Sequence, residues 1–241
     1  GKTTTLYSLL NYVKSEQVNI MTLEDPVEYP MDMIRQTSVN EVARMDFANG
    51  IRSMMRQDPD IILVGEIRDE DTADMAFRAA MTGHQVLSTL HTNSAVGTFP
   101  RLLDIGVLPD IMTGNIIGVI SQRLIRLLCP HCKQEKQPDE IESRLLDIEH
   151  DSGEHKIFDA VGCGHCDNTG YKGRVAIIEA LRINNELDEQ IAKRATLGEL
   201  KMTAKQTGYK TLADDAIRCV LEGKSSLTEV SRVIDLTQRL T

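Results

Sequence analysis

The chain opens on Gly1-Lys2-Thr3, the last three positions of a phosphate-binding loop of the form GxxxxGK[ST]. In such a loop backbone N–H groups cradle phosphates, the lysine reaches the β and γ oxygens, and the hydroxyl ligates Mg2+. Three residues alone are weak support, and the segments that follow supply the context. Residues 58–69 read Asp-Pro-Asp-Ile-Ile-Leu-Val-Gly-Glu-Ile-Arg-Asp. Four apolar residues, Ile61 to Val64, deliver Glu66 and Arg68 at their end, the layout in which a carboxylate positions or deprotonates an attacking water. Glu66 is therefore the preferred catalytic carboxylate. The segment Thr22-Leu23-Glu24-Asp25-Pro26-Val27-Glu28-Tyr29 places further carboxylates beyond another apolar run, where they could order a Mg2+ ion through its waters. Within residues 82–93, His84 precedes an apolar run and His91 follows it. A histidine at the carboxyl end of a strand beside a phosphate loop could hydrogen-bond the γ-phosphate and report its presence. His84, at the other end, reads as structural.

A second chemistry is written in the cysteines. Four of the five form two CxxC pairs, Cys129 with Cys132 and Cys163 with Cys166, separated by 30 residues; Cys219 stands alone. Four soft thiolates suit a tetrahedral Zn2+ ion, and in a reducing compartment this arrangement points to metal rather than disulfides. A redox CxxC is the main alternative, but it needs only one pair. His131 and His165 fall inside the knuckles and could replace a thiolate, although four cysteines make that unnecessary.

These residues need elements to hold them. Residues 19–23, 61–64 and 85–90 are short, nearly all apolar or small, and end in polar residues. They read as parallel strands buried on both faces, with function at their carboxyl ends. Thr4 to Val13 reads as the helix that a phosphate loop feeds, with Leu6, Leu9, Leu10 and Val13 on one face. Asp69 or Asp71 can cap a helix whose Ala73, Ala76, Phe77 and Ala80 fall at helical spacing, with Gly83 as its stop. The charged stretch between the CxxC pairs shows little periodicity. After Tyr171 the pattern turns helical, with Ser226 and Glu229 spaced as a capping box before Leu227, Val230, Val233 and Ile234.

The 241 residues are 41% hydrophobic, enough for one sizeable core, but only 4% aromatic with no Trp. That favours helix-rich α/β packing. A net charge of −9 argues against the broad basic surface of a nucleic-acid binder. No stretch approaches the roughly 18 apolar residues needed to span a bilayer.

The ordered set GKTTTLYSLL, TLEDPVEY, RQDPDIILVGEIRD and TGHQVLSTLHTNSA resembles the secretion-ATPase superfamily, specifically the motors of type II secretion and type IV pilus extension. The segments correspond to that family's Walker A, Asp-box, Walker B and His-box, and the similarity covers essentially the whole chain. The resemblance implies that Gly1, Lys2, Thr3 and Thr4 belong to the nucleotide loop, with Lys2 and Thr3 binding ATP phosphates and Mg2+. It also implies that Glu24 and Glu28 belong to the acidic box, that Glu66 is the Walker B glutamate, that His91 lies nearest the phosphates, with Glu66, His91 and Glu24 as the catalytic residues, and that Arg68 lies near a subunit boundary. The cysteines resemble the tetracysteine module of extension and secretion motors, typically absent from retraction relatives, with Cys129, Cys132, Cys163 and Cys166 as zinc ligands.

The implied fold is α/β: a RecA-like P-loop ATPase core over 1–128, a zinc-binding tetracysteine insertion over 129–170 and a helical C-terminal subdomain over 171–241. The implied activity is Mg2+-dependent hydrolysis of ATP to ADP and phosphate. The implied assembly is a homohexamer in the cytoplasm of a bacterium, peripheral to the inner membrane and docked on an inner-membrane platform protein. Because the chain starts inside the phosphate loop, the residues expected before Gly1 and the upstream arginines are missing from it, and the chain alone is expected to bind ATP poorly. A nucleic-acid motor, such as one serving DNA uptake, is the competing reading, and a non-catalytic zinc-stapled scaffold is a third.

Overall fold

In the computed structural model, which describes residues 1–40, 45–149 and 155–240, the three apolar runs become strands β1 (Ile20–Glu24), β3 (Ile61–Val64) and β4 (Gln85–Ser88). A fourth strand, β2 (Ile34–Ser38), joins them. All pair in parallel in the order β2-β1-β3-β4, and the α/β class expected from the sequence is the class observed. β1 and β3 occupy the centre and are buried along their whole length, as strands sandwiched on both faces must be. β2 is different: with one apolar residue in five, it carries no hydrophobic run, and it lies at the sheet edge.

Helix α1 (Lys2–Val13) packs Leu10 into a core with Ile20, Ile61 and Leu63. Leu9, expected on the apolar face, is 37% exposed, and Tyr7 is buried instead. Tyr7 and Leu10 are three apart and share one helical face; Leu9 falls to its side. Helix α2 (Phe47–Met54) starts at Asp46, whose side chain accepts from the Asn49 N–H. Helix α3 (Glu70–Met81) is capped by Asp69, not Asp71, through the Thr72 N–H, and buries Ala73, Ala76, Phe77 and Ala79. Gly83, at φ 97°, turns the chain into β4, a conformation that suits glycine. Short helices α4 (Thr98–Asp104) and α5 (Pro109–Met112) follow.

Beyond these come β5 (Gly118–Leu128) and β8 (Tyr171–Arg182), paired in a two-stranded sheet. Residues 171–182 are therefore a strand, and the helical reading from Tyr171 onward is corrected. Burial over Val175–Arg182 alternates, with Ile177, Glu179 and Leu181 inward and Ile178, Ala180 and Arg182 outward, which is the period of a strand. The stretch between the cysteine pairs also has structure. β6 (Gln134–Lys136) and β7 (Ile157–Asp159) pair antiparallel, and α6 (Glu140–Leu146) opens with a full capping box between Asp139 and Glu142. Helices α7 (Asn185–Ala192), α8 (Leu197–Gln206), α9 (Leu212–Leu221) and α10 (Leu227–Val233) complete the chain.

The chain forms two compact units. One holds Lys2–Val119 with Leu181–Gln206, and therefore α1 to α5, the parallel sheet, α7 and α8. The other holds Gly1, Ile120–Ala180 and Thr207–Thr241. Its core gathers Ile125, Leu146, Ile157, Ile177, Ile217, Val220 and Val230, so the segment between the cysteine pairs and helices α9 and α10 share one interior. A buried carboxylate pins that interior. Glu229 on α10 is 1% exposed and accepts from the Arg126 N–H at 3.0 Å, from the Arg126 guanidinium at 2.6 and 2.9 Å, and from Arg232 at 2.8 and 3.0 Å. The expected capping box is therefore half formed. Ser226 caps the Glu229 N–H, while the Glu229 carboxylate is drawn to the arginines.

Candidate functional site

Parallel register aligns the carboxyl ends of β1, β3 and β4: Leu23 stands opposite Val64, and Val64 opposite Ser88. The chain stays paired one step further, with the Gly65 N–H on Leu23 O at 2.8 Å, the Thr89 hydroxyl on Gly65 O at 2.7 Å and the Ile67 N–H on Thr89 O at 2.9 Å. Glu66 and His91 are carried to the same edge by these bonds. Gly65 lies close against the β1 backbone, since a Cβ there would meet Leu23 O at 3.2 Å and Glu24 Cα at 3.4 Å.

At that edge Lys2, from the first turn of α1, places Nζ 3.3 Å from His91 Nε2, and His91 Nε2 lies 3.7 Å from Glu66 Oε2. Lysine has only protons to give, so Nε2 is the acceptor in this contact. Arg68 pairs with Glu66 through Nε at 2.5 Å, with its own side chain 67% exposed. His84 is remote from this cluster: its Nδ1 lies 2.9 Å from Ala79 O at the end of α3.

Lys2, Thr3 and Thr4 form the first turn of the twelve-residue α1. The N-terminus of a helix offers unpaired N–H groups and a positive dipole end to an anion. Thr3 is half-buried and Thr4 exposed; the Thr4 carbonyl accepts from the Ser8 hydroxyl at 2.8 Å. Gly1 is exposed and is counted with the other compact unit. A Mg2+ ion would need hard oxygen donors, and the Thr3 hydroxyl and the carboxylates of this edge are of that kind.

Glu24 ends β1 but does not face solvent. Its side chain is 4% exposed; one oxygen accepts from the Tyr7 hydroxyl, and the other from Thr22 Oγ1 at 2.5 Å and Gln36 Nε2 at 3.4 Å. Burial and the bond to Glu24 push the Tyr7 phenol up to about 12, so it remains a donor. Glu28, four residues on, is exposed. Tyr7 and Gln36 are the residues that sequence reasoning passed over: Tyr7 because it reads as one more apolar residue of the helix, and Gln36 because its strand has no apolar pattern.

In the other unit Cys129, Cys132, Cys163 and Cys166 bring their sulfurs within 4.8 Å of one another. Three of the separations are 3.9 Å for Cys129–Cys163, 3.8 Å for Cys132–Cys166 and 3.9 Å for Cys163–Cys166. A tetrahedron of thiolates at about 2.3 Å from zinc has edges of about 3.8 Å, whereas a disulfide would need about 2.05 Å. The donor set thus fits zinc. Backbone N–H groups support it: Gly162 donates to Cys132 Sγ at 3.3 Å, and Cys163 and Gly170 donate to Cys166 Sγ at 3.3 and 3.2 Å. Burial raises the Cys132 thiol to about 12; for Cys166 burial acts the same way, but the two N–H donors outweigh it and bring the thiol down to about 6. His131 and His165 stack on each other with centroids 4.1 Å apart. Cys219 is buried in the core of the same unit.

Residues 1–232 match the family model described as "Type II/IV secretion system protein". The chain is 47% identical over 238 residues to the type IV pilus assembly ATPase TfpB of Acinetobacter baylyi, covering 98% of this chain and 41% of that protein. It is 44% identical over 233 residues to type II secretion system protein E of Pseudomonas aeruginosa, covering 97% and 46%. Among solved structures it resembles the pilus retraction motor PilT with bound ADP, at a TM-score of 0.71 and 27% identity, covering 98% of this chain and 58% of that one. The chain spans less than half the length of these two curated relatives.

Proposed function

The chain belongs to the type II/IV secretion system protein family, and from that premise we propose that it is the nucleotide-hydrolysing part of a motor that assembles a type IV pilus or a type II secretion pseudopilus. The observation that carries the reading is the convergence of Lys2, His91 and Glu66 within 3.3 and 3.7 Å contacts at the carboxyl edge of a parallel sheet. Phosphoryl transfer to water depends mostly on positioning and charge stabilisation. The Lys2 ammonium neutralises phosphate oxygens at the N-terminus of α1. Glu66 takes a proton from the attacking water, and His91 bonds the phosphate being transferred. When bound, Mg2+ offsets the charge that builds on the phosphate oxygens, with the Thr3 hydroxyl as its ligand from this chain. Zinc held by Cys129, Cys132, Cys163 and Cys166 ties β5 and β8 to the segment between the cysteine pairs.

The working assembly in this reading is a homohexamer on the cytoplasmic side of a bacterial inner membrane, docked on a membrane platform protein; no described helix is long and apolar enough to cross a membrane. The test is ATP turnover of the full-length protein alone, with DNA, and with the cytoplasmic part of its platform protein. Glu66→Gln should keep ATP binding and lower turnover by at least about 100-fold. Platform stimulation supports the motor; stimulation by DNA alone, or undiminished turnover of the Glu66→Gln protein, overturns it.

A further inference from the structure

We infer that Tyr7 and Gln36 are positioning residues of the nucleotide site, clamping the turn that follows β1 so that Glu28 is the acidic-box carboxylate presented to the nucleotide, with Glu24 serving the clamp. The inference rests on the ATPase reading above and deepens it. Tyr7 lies on α1, five residues after Lys2, and is 2% exposed. Its single hydroxyl proton goes to Glu24 Oε2, and its oxygen accepts from the Glu28 N–H and from Gln36 Nε2, each at 3.3 Å. A phenol can do no more than this. Gln36, on β2, extends the network, its two Nε2 protons shared among three acceptors. Its Oε1 accepts from the Met31 N–H at 2.6 Å, and its Nε2 reaches Tyr29 O at 3.2 Å as well as Glu24.

The turn after β1 is thus held at Glu28 N, Tyr29 O and Met31 N by side chains from the phosphate-loop helix and the edge strand. The Tyr29 ring adds an edge-on contact with Tyr7 at 4.7 Å. Both oxygens of Glu24 are committed inside this network, while Glu28, whose backbone N–H the network grips, leaves its side chain exposed. A hydrogen-bonded polar network anchored on buried groups, here Tyr7 and Glu24, rigidifies what it joins. Here it joins the helix that begins with Lys2 to the turn that bears Glu28, so it fixes their spacing. Misplacing a reacting group by about 1 Å can cost up to about 100-fold in rate.

The experiment uses the full-length protein. Tyr7→Phe keeps the ring and removes only the hydroxyl; it should lower kcat roughly 10-fold while KM for ATP stays within about 2-fold, since binding by Lys2 is untouched. Glu28→Gln should lower kcat at least as far, and the double variant should be no worse than Glu28→Gln alone, because the hydroxyl acts through Glu28. Gln36→Met removes the clamp from the strand side and should give the same pattern, including where Tyr7→Phe folds poorly. Normal kcat in both Tyr7→Phe and Gln36→Met, or multiplicative losses in the double variant, overturns the inference. Glu66→Gln run alongside separates the two claims: its loss of turnover with normal Tyr7→Phe and Gln36→Met removes the clamp alone, while its normal turnover removes both.

Discussion

Lys2 Nζ and His91 Nε2 stand 3.3 Å apart although 89 residues separate them in the chain. Nothing local brings them together. One heads α1, the other trails the fourth strand of a parallel sheet, and the sheet's register makes the meeting. In the ATPase reading proposed above, an anion bound between helix and strand would be contacted by both.

From that contact the two side chains should fail differently. In the full-length protein, Lys2→Ala should weaken ATP binding by at least about 10-fold, because the compensating charge is lost before chemistry begins. His91→Asn should leave binding within a few-fold and lower kcat by about 100-fold. Isothermal titration with a non-hydrolysable analogue, beside steady-state kinetics, separates the effects. Equal effects of the two variants on binding would show that His91 acts in the ground state.

The sulfur separations of 3.8 and 3.9 Å predict one zinc per chain, measurable by elemental analysis of protein purified without added metal. Cys163→Ser should remove it. Because each sulfur must lose its proton to ligate, zinc affinity should fall as pH falls, most clearly below about 6, where the Cys166 thiol takes up its proton in the metal-free site. The loss should loosen the unit built on β5 and β8 and leave the parallel sheet formed, as hydrogen exchange would reveal. Protection of amides in 129–170 that is unchanged after metal removal would refute a structural ion.

Glu229 gives a pH signature. Burial works against its charge, but the bonds from Arg232 and Arg126 outweigh it and hold the carboxyl down at about 2, against about 4.3 unfolded. A depressed folded pKa stabilises above the unfolded value, so the contribution is complete above about pH 5.5 and disappears as pH falls from 4.3 through 2. Both arginines are partly exposed, which screens the interaction, so we expect on the order of 2 kcal/mol. Glu229→Gln should be less stable than the parent by that amount at pH 7, with the gap closing toward pH 2. A gap independent of pH would place the cost in packing rather than charge.

These features were not equally legible in the sequence. β3 is plain because Ile61–Val64 is a pure apolar run with Asp58 and Glu66 near its ends, while the sequence leaves the α3 cap between Asp69 and Asp71 and the structure gives it to Asp69. Glu66, His91, Lys2 and the four cysteines are legible because their chemistry is written in residue type and spacing. β2 is not. An edge strand needs no apolar run, and Ile34-Arg-Gln-Thr-Ser looks like a loop until Gln36 is seen bonded to Glu24. β8 misleads in the opposite direction, since its inward Glu179 breaks the apolar alternation that would mark a strand. That carboxylate is buried because the Leu212 N–H at the start of α9 reaches it at 3.0 Å, a long-range bond that no window of sequence contains. The burial of Glu24 is hidden for the same reason, because its donors Tyr7 and Gln36 arrive from other elements.

The last prediction concerns the spacing that brings Glu66 to its place. Gly65 bonds Leu23 O through its N–H and holds the Thr89 hydroxyl on its carbonyl, so it is tied to both neighbouring strands. A methyl group there would sit 3.2 Å from Leu23 O and 3.4 Å from Glu24 Cα. Those neighbours are backbone, and β1 is itself held between β2 and β3, so neither can yield freely. Gly65→Ala should therefore cost about 1–3 kcal/mol of stability, as overpacking does. It should also lower kcat beyond what the stability loss explains, because the strain falls on the residue next to Glu66. Thermal unfolding and kinetics of the same preparation, assayed well below its Tm, distinguish the two effects. Wild-type turnover with a reduced Tm would show that the Glu66 carboxylate tolerates a shift of its strand, and an unchanged Tm would show that β1 and β3 can part without cost.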